Sequence, residues 1–327
     1  MRSLGKFIGR VLLGLIALGL IFWFVAPREA VERGAVEMPD LSDPDGWLSE
    51  RETQYGDITE GTQARVVWAG EAGMPTPTVV LYLHGFSATS EEIRPVPDRV
   101  AEQLGANLIF ARLPGHGRDG TAMAEPRAGD WVDEVATMLH LARGIGEDVV
   151  VMGTSTGATL ATWAATDAEM ADDVAAMVLI SPNFVLANPA GGLLELPLAR
   201  LWVPFVAGAE RSFEPINDDH GAYWTTTYPT EATVTLGTLL RETRARDHSG
   251  VTIPALFLFS DADQVISAQA ARDFAEGWGG PATLIPVAVP EEGGDPFNHV
   301  ISGDILSPAL TDRTVEDVTD WLRDVLQ

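Results

Sequence analysis

The sequence contains no cysteine among its 327 residues. Disulfide bonds, thiolate metal sites and cysteine nucleophiles are therefore excluded. Lysine is almost absent as well, since Lys6 is the only lysine among 21 basic residues, which stand against 47 acidic ones. The resulting formal net charge of −26 repels phosphate backbones, so nucleic acid is not expected as a partner. We interpret the acidity as a contribution to solubility or salt adaptation rather than as an acidic binding surface.

The first 26 residues combine a positively charged start with an apolar run. Arg2, Lys6 and Arg10 precede an uncharged stretch at residues 11–26, a form shared by signal peptides and signal anchors. Because the stretch ends in bulky Phe-Trp-Phe and lacks a small-x-small pair for cleavage, we expect residues 1–26 to be an uncleaved single-pass transmembrane anchor. A cleaved signal sequence and a buried helix are the alternatives. For an anchor, the positive-inside rule places the body of the protein outside the cytoplasm. For a cleaved signal sequence, the protein would be secreted or periplasmic.

The remainder of the chain divides into a short polar segment and a large folded domain. Residues 27–46 are acidic and interrupted by proline and Asp-Gly, which is typical of a linker. In residues 47–327, apolar runs of strand length alternate with segments of helical periodicity. The predicted strands include residues 78–83, 106–113, 148–152, 174–180, 255–259 and 282–289. This alternation predicts an α/β fold with a mostly parallel central sheet flanked by helices.

The alternation of strands and helices stops at about residues 183–250. This stretch holds five prolines and three short apolar and aromatic segments, without a clear parallel strand. We predict that it is an inserted lid or cap. Its large apolar residues either line a substrate pocket under the lid or form the lid's own core. They include Leu193, Leu194, Leu201, Trp202, Phe205, Tyr223 and Trp224.

Residues 149–157 carry the strongest chemical signal. A run of valines leads into Gly153-Thr154-Ser155-Thr156-Gly157, and an alanine-rich helix follows. A G-x-S-x-G sequence between a strand and a helix is typical of a nucleophile elbow, in which Ser155 projects from a strained turn. The two glycines allow the backbones to approach closely, and the helix N-terminus directs the N–H of Thr156 toward a developing oxyanion. The alternative is a glycine-rich loop that only packs.

Two further motifs accompany this elbow. His84-Gly85-Phe86 follows one predicted strand, and Pro114-Gly115-His116-Gly117 follows the next. With these motifs, roughly residues 60–326 resemble the α/β-hydrolase-fold serine hydrolases, in the style of capped esterases, lysophospholipases and monoacylglycerol lipases. The second motif departs from the family's pattern, because Arg118-Asp119 stand where a serine often follows. This departure argues against a narrow subfamily assignment.

The resemblance implies the order nucleophile, acid and histidine along the chain. Asp263 matches the family's G-x-x-D-x-V loop, with Ser260 in place of glycine, and Asp261 is the competing candidate for the acid. Of the six histidines only His299 follows the last predicted strand, so the resemblance makes it the general base. In the family, the residue after His-Gly lends a backbone N–H to the oxyanion. This implies Phe86 as a donor beside Thr156.

The implied function is hydrolysis of a carboxylic ester, through a Ser-Asp-His triad and an acyl-enzyme. The substrate would be a small-molecule or lipid ester, with the membrane as a partner through the N-terminal helix. No cofactor is expected, and no metal, since the acidic residues and His299 are dispersed without a spacing such as H-E-x-x-H. An acyltransferase, thioesterase or peptidase could use the same triad. A non-catalytic, membrane-tethered binding protein of this fold is the alternative from another class.

Overall fold

The apolar runs of the sequence form β-strands, and helices connect most of them. A computed structural model describes residues 2–327, apart from the side chains of residues 2–4 and 21–23. In that range the strands are β1 (Arg65–Val67), β2 (Thr76–Leu83), β3 (Asn107–Phe110), β4 (Gly146–Thr154), β5 (Val174–Ile180), β6 (Glu210–Ser212), β7 (Thr227–Pro229), β8 (Ala255–Phe259) and β9 (Ala282–Pro286). The helices are α1 (Arg2–Val25), α2 (Pro44–Glu52), α3 (Val96–Leu104), α4 (Ala128–Ile145), α5 (Thr156–Ala165), α6 (Ala199–Ala207), α7 (Asp218–Tyr223), α8 (Glu231–Arg244), α9 (Ala268–Gly277) and α10 (Pro308–Val325).

Most of these strands join one central sheet. Its seven described strands have the order β1-β3-β2-β4-β5-β8-β9. Strand β1 is antiparallel to β3, and the other neighbours are parallel. The sheet confirms the predicted mostly parallel arrangement. The carboxyl ends of β2, β4, β5 and β8 meet at one edge, which is where parallel sheets of this kind place their sites.

Two hydrophobic layers enclose the sheet. Successive side chains of a strand point to opposite faces, so Val79, Leu81 and Leu83 pack on one side while Val80 and Tyr82 pack on the other. Helices α4, α5, α8 and α9 cover the first face, and α3 and α10 cover the second. Because both faces are buried, the strands read as continuous apolar runs rather than alternating ones.

The N-terminal helix differs from the prediction. Within the described part of the chain, none of the helices has both the length and the apolar character that crossing a membrane requires. In α1, 15 residues follow Arg10; at about 1.5 Å per residue they span about 23 Å, whereas the hydrocarbon core is about 30 Å thick. The prediction of a single-pass membrane anchor, with the membrane as a partner and a location derived from that anchor, is therefore wrong.

Residues 27–46, predicted as a linker, lie against the domain. The guanidinium of Arg33 pairs with Asp133 on α4 at 2.9 Å. Glu29 pairs with Arg200 on α6 at 2.6 Å. These ion pairs fix the segment along the surface formed by α4 and α6.

Candidate active site

Ser155 occupies the turn between β4 and α5. Its backbone angles are φ 51° and ψ −111°, a region that a residue with a side chain adopts only under strain. The backbone N–H of Ser155 donates to the carbonyl of Ile180 on β5 at 2.9 Å, which fixes the turn at the edge of the sheet. Ser155 is only 5% exposed. The geometry is that of a nucleophile elbow.

The two glycines of the motif let α5 begin in direct contact with the strands. A Cβ added at Gly157 would overlap the carbonyl oxygen of Leu83 at the end of β2. A Cβ added at Gly153 would lie 2.5 Å from the carbonyl carbon of Gly157. A side chain at either position would push the helix away from the sheet, and Ser155 would move with it.

His299 and Asp263 approach Ser155 from two other loops. Nε2 of His299 lies 3.0 Å from Oγ of Ser155, and Nδ1 of His299 lies 2.8 Å from Oδ2 of Asp263. The other carboxylate oxygen of Asp263 accepts hydrogen bonds from the backbone N–H groups of Val265 and Ile266 at 2.8 and 2.9 Å. Both oxygens of the Asp263 carboxylate therefore have hydrogen-bond partners, and the three predicted side chains form one hydrogen-bonded series.

Asp261, the competing candidate for the acid, lies elsewhere. Its carboxylate pairs with Arg272 on α9 at 2.6 and 2.8 Å, and its side chain is 62% exposed. The Asp263 side chain has no exposed surface. The structure thus joins Asp263, and not Asp261, to His299.

The surroundings of His299 favour its protonated form. Burial alone would lower the pKa of His299, but the hydrogen bond and the negative charge of Asp263 raise it, with smaller contributions from Glu92 and Asp295. The net result is a pKa above the ordinary value for an imidazole. A base of this kind can accept a proton from Ser155 and hold it for a leaving group.

The two predicted oxyanion donors are Phe86, in the loop after β2, and Thr156, the first residue of α5. Within the described residues, the backbone N–H groups of Phe86 and Thr156 donate to no protein acceptor. The loop of Phe86 is close to the nucleophile, since a Cβ added at Gly85 would lie 3.3 Å from Cβ of Ser155. Two unpaired N–H groups beside a serine are the arrangement that stabilises a developing oxyanion.

His84 supports this loop from behind. Nε2 of His84 accepts the backbone N–H of Leu113 at 3.1 Å, so the proton lies on Nδ1, which donates to the carbonyl of Gly85 at 2.9 Å. Burial lowers the pKa of His84 to about 4, which keeps the ring neutral. His84 therefore connects the loops after β2 and β3.

Sequence reasoning missed two carboxylates close to the site, Glu92 and Asp295. Asp295 is 3% exposed, and its Oδ2 accepts the backbone N–H of His299 at 2.9 Å. Glu92 is 3% exposed and accepts the backbone N–H of Gly85 at 2.8 Å. In the sequence it is one of two adjacent glutamates before a helix, a pattern typical of a solvated surface. Nothing in that pattern marks Glu92 as buried.

Residues 183–250 contact the site but divide between surface and core. Leu201 and Phe205 on α6 are exposed, the latter at 89%, whereas Trp224 is buried in the core.

A surface cavity of about 420 Å³, lined by α2 and the loop before β1, includes none of the predicted site residues. Among the described residues, no three His, Asp or Glu side chains cluster in a way that could hold a metal ion.

Comparison with known proteins identifies the family. Residues 75–283 match the model of the Hydrolase_4 family, described as serine aminopeptidase, S33. The chain belongs to the Hydrolase_4 family. The matched range contains Phe86, Ser155, Thr156 and Asp263, and ends before His299.

Individual relatives of this Hydrolase_4 protein agree with that assignment. A thermostable monoacylglycerol lipase of Bacillus sp. strain H-257 is 28% identical over 200 residues, which cover 58% of this chain and 72% of the relative. A structure from work on the metagenome-derived lipolytic enzymes LipS and LipT has a TM-score of 0.64 at 19% identity, covering 82% of this chain and 99% of the other. The monoacylglycerol lipase of Paleococcus ferrophilus has a TM-score of 0.58 at 13% identity, covering 80% and 98%. The resemblance to α/β-hydrolase-fold serine hydrolases is confirmed, and the lipase relatives support an ester hydrolase of that fold.

Proposed function

We propose that the protein hydrolyses monoacylglycerols or similar small lipid esters with Ser155 as nucleophile, His299 as general base and Asp263 as the acid of the triad. The observation that carries the proposal is the hydrogen-bonded series from Ser155 Oγ through His299 to Asp263, at 3.0 and 2.8 Å. The two unpaired N–H groups of Phe86 and Thr156 support it. Acyl transfer by a serine requires a nucleophile, a base, an acid and oxyanion donors of these kinds.

The reaction follows from this geometry. Neutral His299 donates from Nδ1 to Asp263 and accepts the hydroxyl proton of Ser155 at Nε2, while Oγ attacks the ester carbonyl. The N–H groups of Phe86 and Thr156 bind the oxyanion. Protonated His299 then gives its proton to the leaving alcohol, and the same residues activate a water that hydrolyses the acyl-enzyme.

We infer that residues 183–250 form a cap over this site, within a catalytic domain at residues 47–327. The backbone N–H of Thr225 donates to the carbonyl of Ser87 at 2.7 Å, and the rings of Phe86 and Tyr228 meet edge to face at 5.3 Å. These contacts join the cap to the loop of the proposed oxyanion donor. Because Ser155 is almost fully buried, an ester must enter by movement of a covering segment.

Two observations support a lipid ester as substrate. The Bacillus relative is a monoacylglycerol lipase. The cap also exposes Leu201 and Phe205, and an exposed apolar patch of this kind marks a binding surface. The family description favours a second candidate, an aminopeptidase that uses the same three residues on an amide.

Labelling by a fluorophosphonate tests the proposed nucleophile and base. We expect the wild type and the surface variant Ser249→Ala to be labelled, and Ser155→Ala and His299→Ala to lose labelling while remaining folded by circular dichroism. p-Nitrophenyl esters from acetyl to palmitoyl and aminoacyl p-nitroanilides would then separate esterase, lipase and aminopeptidase. Labelling that persists in Ser155→Ala, or a folded wild type that is never labelled, would refute the proposal.

A further inference from the structure

Glu92 is a buried carboxylate without a part in the reaction proposed above. It lies in the turn between β2 and α3 and is 3% exposed. Its Oε2 accepts the backbone N–H of Gly85 at 2.8 Å and lies 3.0 Å from the hydroxyl of Tyr82 on β2. Burial of a carboxylate is unfavourable in free energy unless hydrogen bonds compensate the loss of water, so the position of Glu92 needs an explanation.

The contacts of Glu92 connect the nucleophile turn at Ser155 with the loop that holds the proposed oxyanion donor Phe86. The Tyr82 hydroxyl lies 3.1 Å from Oγ1 of Thr154. Because that hydroxyl has one proton, it donates to ionised Glu92 and accepts the proton of Thr154. Thr154 directly precedes Ser155, and Gly85 directly precedes Phe86. A continuous buried network therefore links the nucleophile turn to the loop at residues 84–87.

Gly85 is required for this arrangement. A Cβ added at Gly85 would lie 2.5 Å from Oε1 of Glu92 and 3.3 Å from Cβ of Ser155. The carboxylate thus packs directly on the backbone of the loop, in a space that any other residue would fill. The hydrogen bond fixes the peptide unit between His84 and Gly85, and the packing fixes Gly85 itself, directly before the N–H of Phe86.

We propose that Glu92 is a positioning residue, which holds residues 84–87 against the nucleophile turn and adds its negative charge to those of Asp263 and Asp295 near His299. The proposal rests on the function proposed above, because it assigns the oxyanion to Phe86 and the proton transfer to His299. Glu92 touches neither the substrate nor the reacting atoms. It acts through Gly85 and through its charge.

The charge part of this role depends on pH, because Glu92 is fully ionised only above its own pKa. Burial raises the pKa of Glu92 to about 7, although the Gly85 N–H, the Tyr82 hydroxyl and the charge of His299 lower it. In return, the charge of Glu92 raises the pKa of His299. Tyr82 on β2 and His299 in the loop after β9 are the titratable groups that face Glu92. Adjacent Glu91 instead pairs with Arg65 and Arg94.

The first test, Glu92→Gln, removes the negative charge of the side chain and keeps its shape. His299 must be neutral to accept a proton, so activity rises with pH through its pKa. Glu92→Gln removes a charge that raises this pKa, and we expect the acidic limb of kcat/KM to move to lower pH. The matched control Glu91→Gln should leave the limb in place. An NMR titration of the His299 imidazole, assigned through His299→Ala, should show the same downward shift.

The second test removes the hydrogen bonds. In Glu92→Ala and Tyr82→Phe we expect kcat to fall by about tenfold to a hundredfold with KM nearly unchanged, which is less than the loss of a complete oxyanion donor. If Glu92→Ala does not fold, Tyr82→Phe and Glu92→Gln are sufficient. An unchanged kcat in Tyr82→Phe, or an unmoved His299 titration in Glu92→Gln, would overturn the proposal. Since the titration needs no turnover, failure of the proposed ester hydrolysis would be recognised separately.

Discussion

Asp261 and Asp263 stand two positions apart, yet the fold gives them different surroundings. The side chain of Asp263 is fully buried between His299 and two backbone N–H groups. Asp261 is on the surface and pairs with Arg272. A buried carboxylate beside an imidazole fixes the tautomer and stabilises the protonated ring, whereas an exposed ion pair contributes about 0–1 kcal/mol to stability.

We therefore expect opposite results from the same substitution at the two positions. Asp263→Asn should lower kcat for a p-nitrophenyl ester by about ten-thousandfold, because Asn would hold the wrong tautomer of His299. Asp261→Asn should keep the wild-type kcat, and Asp263→Asn should remain folded. Steady-state kinetics on the two purified variants measure this difference. Equal losses in both, or full activity in Asp263→Asn, would show that Asp263 is not the acid.

The residues differ in how far the sequence could predict them. A local motif predicts Ser155, and the order of nucleophile, acid and histidine along the chain in the family predicts His299. Glu92 could not be found in this way, because Glu91 and Glu92 are identical neighbours. Only the turn after β2 decides that Glu92 points inward to Gly85 while Glu91 pairs with arginines at the surface.

Among the elements, buried strands were the most predictable. The runs predicted at residues 174–180 and 255–259 coincide with β5 and β8, since strands covered on both faces are apolar throughout. The antiparallel pairing of β1 with β3 depends on tertiary contact and leaves no mark on the local sequence. Likewise β6 and β7 form a two-stranded sheet of three residues each, too short to show a period.

The element that we propose as a cap can be tested by cross-linking, since the chain has no cysteine of its own. The backbone hydrogen bond from Thr225 to Ser87, at 2.7 Å, brings these residues close to the separation that a disulfide needs. In Ser87→Cys/Thr225→Cys we expect oxidation to abolish most ester hydrolysis by fixing the cap in place, and dithiothreitol to restore it.

Each single cysteine variant is the control for this experiment, and its activity should not respond to oxidant. Counting free thiols would establish that the cross-link has formed. A fully cross-linked enzyme that is as active as its reduced form would show that residues 183–250 need not move for an ester to enter.

At the scale of the whole molecule, charge is the dominant feature. Many arginines of the described chain are already in ion pairs with Asp or Glu, among them Arg112 with Glu52 at 2.6 Å. Because acidic residues outnumber basic ones by 47 to 21, pairing cannot neutralise the excess. The folded state therefore brings many unpaired negative charges together, and their repulsion opposes compaction.

Added salt acts on this balance in two directions. Raising the ionic strength from about 0.01 M to about 0.15 M shortens the Debye length from about 30 Å to about 8 Å. Ion pairs at the surface are weakened, but each contributes only about 0–1 kcal/mol, whereas repulsion acts among all the excess charges of a −26 chain. We expect screening of the repulsion to be the larger effect and the free energy of unfolding to rise, by on the order of 1 kcal/mol.

Urea denaturation at pH 8 in increasing NaCl measures this change, since urea itself adds no ionic strength. KCl at equal ionic strength should act equally, because screening depends on ion concentration rather than on specific binding. At about pH 4, where roughly half of the carboxylates are protonated, the repulsion is smaller and the salt effect should shrink. A free energy of unfolding that falls with salt at pH 8 would instead mean that the arginine–carboxylate pairs outweigh the repulsion, and that the excess negative charge costs the fold little.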